Sequence, residues 1–349
     1  MTSPLPLSDL LPLNDANRLG LNYHALASSL PWAGPIVDAH LHINSVQVAR
    51  ELMPVAEWFG IKQFWSQTPL EEVDAIAAEF GDRVRFVAVP NYFARDRSDT
   101  FTTDWLHRLD EMRKRGCLMC KFWAAPRGRD FHPTFELDHP TRITAMRHAR
   151  DLGYKLFVAH VADPDTWFST MYKDANRYGT KASHYDKLRR VLEEFHDVNW
   201  MVAHMGGYPE RLDILQDLFD QYPRLHLDAS ATKWMVRELS KHPATELASF
   251  ITRNPGRVLF GTDIVAAPAD MSLTLQQRQD LYASRFWALR TLWETDYAGP
   301  SPIVDPDLSL VDPTQSKLAT AMLRGCSLDP AALSMLYQGA AERLMPELV

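Results

Sequence analysis

Eight short apolar runs, each the length of a buried strand, alternate with stretches whose apolar residues recur at helical spacing, and this alternation restricts the chain to a parallel α/β architecture. The runs cover 36–42, 61–65, 84–90, 117–123, 155–160, 199–204, 225–230 and 258–263. Helical patterns occupy 46–59, 70–80, 105–115, 142–152, 185–195, 209–221 and 234–253, and Gly81, Gly116 and Gly153 follow helical runs as stop signals. Parallel strands need right-handed crossovers, and eight such units close a cylinder, so the expected fold is α/β, a (β/α)8 TIM barrel. An open doubly wound sheet is the other arrangement, but its Gly-x-Gly-x-x-Gly nucleotide loop is absent. The reading is of one barrel domain over 1–349: an N-terminal arm (1–35), eight strands (36–263), an excursion serving as lid or interface (264–330) and a closing helix (331–349).

Composition removes several classes of function. With 37 Lys+Arg against 44 Asp+Glu the formal charge is −7, which offers no electrostatic footprint for nucleic acid or an anionic membrane. No apolar run is long enough to span a bilayer, and the three prolines of MTSPLPLSDLLPLND argue against a signal peptide. Three cysteines cannot build a disulfide framework, which points to the cytoplasm. Cys117 and Cys120 form a lone Cys-x-x-Cys, read as structural because a strand would set them on opposite faces. There is no Gly-x-Ser-x-Gly elbow and no His-Glu-x-x-His helix.

The chemistry concentrates at strand ends. In Asp38-Ala39-His40-Leu41-His42, alternation would make Asp38, His40 and His42 project together, so that two imidazoles could reach one cation. His160 ends the fifth run, His204 the sixth and Asp263 the eighth, each at the edge where a barrel carries its active site. Alternation likewise groups Trp200, Val202 and His204 on one face, and Leu259, Gly261 and Asp263 on another. One strand-end histidine means little among thirteen; five such residues at one rim point to a metal site.

The ordered motifs VDAHLHI, FVAH, VAHMGGYPERL, HLDASA and LFGTDI, with YQGAAERLMPEL near the end, resemble the amidohydrolase superfamily. The resemblance is to its amidohydrolase-2 group of aminocarboxymuconate-semialdehyde decarboxylase-like enzymes, and it spans most of 36–345. It implies that His40, His42, His160 and Asp263 hold one divalent ion, most simply Zn2+, and that His204 stays off the ion as acid/base and carbonyl-polarising residue. Three neutral ligands and one carboxylate leave such an ion positive enough to acidify a bound water, and an unliganded imidazole near its natural pKa can move that proton. Asp263 has two jobs open to it, ligand and proton acceptor. Asp38 and Asp228 are read as orienting groups, the latter for His204 or Lys121. Lys121, ending the fourth run, is read as a substrate-binding ammonium in preference to a carboxylated bridge between two metals.

Rim positions after the strands include Trp65, Tyr92, Trp123, Arg127, Arg129, Trp167, Tyr172, Lys233 and Arg237; of these Trp123 and Arg237, with Lys121, are taken as substrate contacts. The partner expected is a small molecule, with the 264–330 excursion also suited to a homodimer contact. The leading function is metal-dependent hydrolysis of an ester, lactone or amide in a small, carboxylated or aromatic substrate. The alternatives are non-oxidative decarboxylation of an unsaturated or aromatic acid and a silent ligand-binding barrel.

Overall fold

The computed structural model describes residues 12–95, 99–132 and 135–348; residues 1–11 of the expected N-terminal arm lie outside them. Strands β1 (Ile36–Ile43), β2 (Ile61–Gln67), β3 (Val84–Ala88), β4 (Met119–Trp123), β5 (Leu156–His160), β6 (Asn199–Val202), β7 (Leu225–Asp228), β8 (Val258–Leu259) and β9 (Val265–Ala266) form one row in the order β8-β7-β6-β5-β4-β3-β2-β1-β9. Every adjacent pair is parallel.

The row closes on itself. Its two ends, β8 and β9, belong to one segment, 258–266, interrupted where Asp263 takes a left-handed φ of 55°. On one side Ala229 N donates to Leu259 O at 3.0 Å; on the other, Ala39 N reaches Phe260 O at 2.9 Å, Asp263 N reaches His40 O at 2.7 Å and His42 N reaches Ile264 O at 2.7 Å. The chain is therefore the α/β TIM barrel that the alternation predicts.

The apolar residues sort into two layers. Val37, Ala39, Trp65, Val87, Met119, Leu156, Val158, Met201 and Leu259 fill the cylinder, plugged from below by Ala340, Leu344 and Met345 of the C-terminal helical segment. The other strand residues, including Phe64, Phe122, Phe157 and Trp200, pack outward against the helices. Trp65 thus belongs to the barrel interior and not to the rim. Cys117, Cys120 and Cys326 are buried and free.

One sequence expectation is corrected. The helical pattern over 234–253 divides into Thr232–Leu239 and Ala244–Arg253, because Pro243 cannot continue a helix and disfavours helical geometry in the residue before it. The helix Leu275–Glu294, inside the long excursion, packs between the helices Val46–Trp58 and Thr232–Leu239, so it occupies an outer-ring position. An antiparallel hairpin, Ala298–Val304 with Thr320–Arg324, comes after it. Among the described residues no helix is long and apolar enough to cross a membrane.

Candidate metal centre

Regular alternation does not deliver the site; local breaks in it do. Between Asp38 and Leu41 the pairing of β1 with β2 shifts, three steps on β1 matching two on β2. Such a bulge reverses the facing of the residues beyond it. Val37 and Ala39 consequently join the barrel filling, while His40 and His42 also turn inward at the mouth. Asp38 does not project with them. Its carboxylate accepts from His40 N (3.2 Å), Thr262 N (3.1 Å) and Thr262 Oγ1 (2.6 Å), pinning the seam between the first and last strands. Burial pushes this carboxyl up to about 7, against the opposing Thr262 hydrogen bond.

His204 departs from expectation in the same way. Trp200 and Val202 pack outward, and strict alternation would send His204 after them. A left-handed φ of 60° just past β6 re-aims it into the cavity. Non-glycine residues in this region signal a backbone held by its surroundings, here by Asp228 Oδ1 accepting from His204 N at 2.9 Å.

The hydrogen bonds fix which nitrogens are free. His40 Nδ1 lies 2.7 Å from Asp228 Oδ2, and a buried carboxylate accepts, so Nδ1 carries the proton and Nε2 the lone pair. The Ser230 hydroxyl donates to Asp228 Oδ1, which makes Ser230 Oγ the acceptor for His204 Nδ1 at 2.7 Å. His204 Nε2 is thereby the bare nitrogen. Asp228 orients His40 directly and His204 through its backbone and Ser230, a wider role than the sequence reading gave it. Burial drives His204 well below its ordinary value, with His160 adding to the effect, so it is a neutral imidazole and not one near its natural pKa.

His40, His42 and Asp263 each present one ligating atom, all within 4.8 Å of one another. His42 Nε2 lies 3.2 Å and His40 Nε2 3.5 Å from Asp263 Oδ1. Burial opposes ionisation of Asp263, but His42 and the neighbouring imidazoles hold it well below the usual carboxylate range. Two imidazole nitrogens and an ionised carboxylate match the donor chemistry of a divalent transition metal. Lys121 Nζ also faces the set, donating to His40 Nε2 at 2.8 Å. Burial lowers its pKa to about 8, which brings the uncharged amine, able to cede that lone pair to a cation, within reach near neutrality.

His160 lines the same cavity but joins neither that set nor the second group of clustered donors, His40, His204 and Asp228. Its ring meets that of His204 edge-on, with centroids 4.4 Å apart, and its Nε2 lies 3.0 Å from Asp163 Oδ1. Donation to that carboxylate, which also accepts from Tyr172 OH at 2.9 Å, leaves Nδ1 with the lone pair. The sequence reading missed Asp163, although its place three residues after a strand-end histidine was a usable signal; it also missed Ser230, and Gln67, which lines the cavity. Trp123 lines the cavity as expected, together with Tyr92, Phe101, Phe131 and Phe135. Arg237 does not. Its guanidinium is held by Glu238 (2.7 Å) and Asp305 (2.5 Å) in a buried ion cluster, so its assignment as a substrate contact is withdrawn.

The cavity encloses about 400 Å³ at the mouth formed by the strand ends. A closed parallel barrel with imidazoles and a carboxylate converging on such a cavity defines the class: a TIM barrel with a candidate metal centre. Compared with known proteins, the chain matches no family profile and no curated protein. It is similar to a solved TIM-barrel protein of Bordetella bronchiseptica, with 16% identity over 90% of this chain and 99% of the other and a TM-score of 0.50. That likeness establishes the shared fold. Also similar are a probable 2-pyrone-4,6-dicarboxylic acid hydrolase of Acinetobacter baumannii, solved with citric acid (10% identity, 89% and 99% covered, TM-score 0.47), and a 5-carboxyvanillate decarboxylase of Novosphingobium aromaticivorans, solved with manganese (12% identity, 72% and 95% covered, TM-score 0.39).

Proposed function

We propose that this chain is a metal-dependent hydrolase of an ester, lactone or amide bond in a small organic molecule. The observation that carries the reading is the convergence of His40, His42 and Asp263 donor atoms beside His204, whose ring is oriented by Ser230. His40, His42 and Asp263 would hold one divalent ion, with zinc the best match to the donor set, and His160 is the proposed fourth donor through Nδ1. Such an ion supplies Lewis acidity, polarising a carbonyl and lowering the pKa of water. His204 Nε2 takes the proton from the attacking water and returns it to the departing oxygen or nitrogen. Asp228 and Ser230 keep that nitrogen bare by fixing the tautomer, and Asp263 is the second group able to receive a proton. Tyr92, Phe101, Trp123, Phe131 and Phe135 exclude water and supply ring faces for a planar substrate.

That aromatic wall also favours a second reading, decarboxylation of an aromatic or unsaturated acid, in which His204 Nε2 would take up a proton from solvent and deliver it to the carbon that loses carbon dioxide. Turnover of an ester, lactone and aromatic-acid panel in ¹⁸O-labelled water by zinc-reconstituted protein separates the two. Hydrolysis places one label in the product carboxylate; release of carbon dioxide without labelling would replace this reading by the second.

A further inference from the structure

We propose that a second cavity, behind Asp263, is a carboxylate-binding subsite that holds an anionic end of the substrate while the reacting group lies at His204. This rests on the reading of the first cavity given above. The second cavity encloses about 340 Å³ and is bounded by the loops after β7 and β8, by the first turn of the helix Thr232–Leu239, which carries Lys233, and by the helix Leu275–Glu294. It shares Asp263 and Val265 with the first, so one molecule with a carboxylate near its scissile bond can reach both.

Its distinguishing residues are Lys233 and Arg285. Among the described residues neither forms an ion pair. On the same helix Arg278 has Glu51 at 3.4 Å and Arg290 has Glu294 at 2.5 Å, so Arg285 is the exception. Its Nη1 is held by Leu281 O (2.9 Å) and Ser284 Oγ (2.8 Å), which aim the guanidinium and leave Nε and Nη2 without a protein acceptor among the described residues. Burial of this cation lowers its pKa to about 10. Two cations that repel across an open cavity are relieved by an anion between them.

Among the described residues the nearby carboxylates form no ion pair with either cation, although Asp263 and Asp270 line the cavity and their charge acts on Lys233 and Arg285 respectively. Asp263 faces His42, Asp270 accepts from Ala267 N (2.9 Å) and Tyr282 OH (3.3 Å), and Asp305 and Asp307 are drawn to Arg237. The planar fork of Arg285 suits a carboxylate, and Lys233, exposed at the rim, supplies a movable second charge.

Titration calorimetry of the full chain with glutarate, both as purified and after dialysis against a chelator, tests the inference. Glutarate should bind in both forms, uncharged glutaramide should not, and Lys233→Ala should weaken glutarate about tenfold or more. Arg285→Gln should weaken it similarly, but Lys233→Ala decides, since an exposed lysine can be truncated without unfolding the chain. Lys121→Met should leave glutarate affinity within about twofold, because Lys121 belongs to the first cavity. Unchanged affinity in Lys233→Ala, equal binding of glutaramide, loss in Lys121→Met instead, or binding only when metal is present would overturn the inference. A chain that binds glutarate through Lys233 but retains no metal would refute the metal reading while leaving the anion subsite standing.

Discussion

His204→Asn is expected to lower turnover about a thousandfold while leaving the metal content of the protein unchanged. The asparagine amide can still donate to Ser230, so the hydrogen-bond frame around Asp228 survives. The substitution removes the bare Nε2, the nitrogen that moves the proton, for which an amide has no substitute near neutral pH. His204 lies outside the set formed by His40, His42 and Asp263, and in its other grouping, with His40 and Asp228, the facing Nδ1 atoms are taken up by hydrogen bonds to Asp228 and Ser230, so its loss should remove chemistry and not a ligand. The check is kcat by steady-state assay beside metal content by mass spectrometry on the same sample. Retained turnover would remove His204 from the reaction, and loss of metal would make it a ligand.

Gly207→Ala should be the most damaging single-methyl addition near the site. Gly207 has φ +72°, and a Cβ there would stand 2.2 Å from the carbonyl oxygen of Ala162. Both partners are backbone, so the loop after β6, which carries His204, and the loop after β5, which carries Asp163, would have to separate. We expect a loss of about 3 kcal/mol in unfolding free energy, together with loss of activity. Gly81→Ala isolates the conformational part: its φ is +53° but nothing lies within 4 Å of an added Cβ, so about 1 kcal/mol is expected. Denaturant midpoints of the two variants give the comparison, and equal losses would mean that the Ala162 contact is of no consequence.

The barrel and the identity of its rim residues were legible because both are written in local pattern. Apolar runs of strand length separated by helical periods leave few topologies, and a histidine or aspartate at the end of a run is visible without knowing its neighbours. Orientation was not legible. It depends on the bulge before His40, which turns Asp38 away from the histidine pair, and on left-handed φ values at His204 and Asp263, which residue types alone do not announce. The fate of long side chains was hidden for a different reason. Arg237 looked free beside the site, yet its partner Asp305 comes from 68 residues further along the chain. Lys233 and Arg285 are distinguished only by lacking such partners, which requires the whole tertiary arrangement.

The account rests on one cation-binding set, and metal counting addresses it most directly. Protein stripped with chelator, reconstituted with zinc and desalted should retain about one equivalent, as should His204→Asn, whereas His42→Ala and Asp263→Ala should retain almost none. Failure of the wild-type chain to retain zinc, manganese or iron, or full retention by both His42→Ala and Asp263→Ala, would contradict the placement of a metal among these residues.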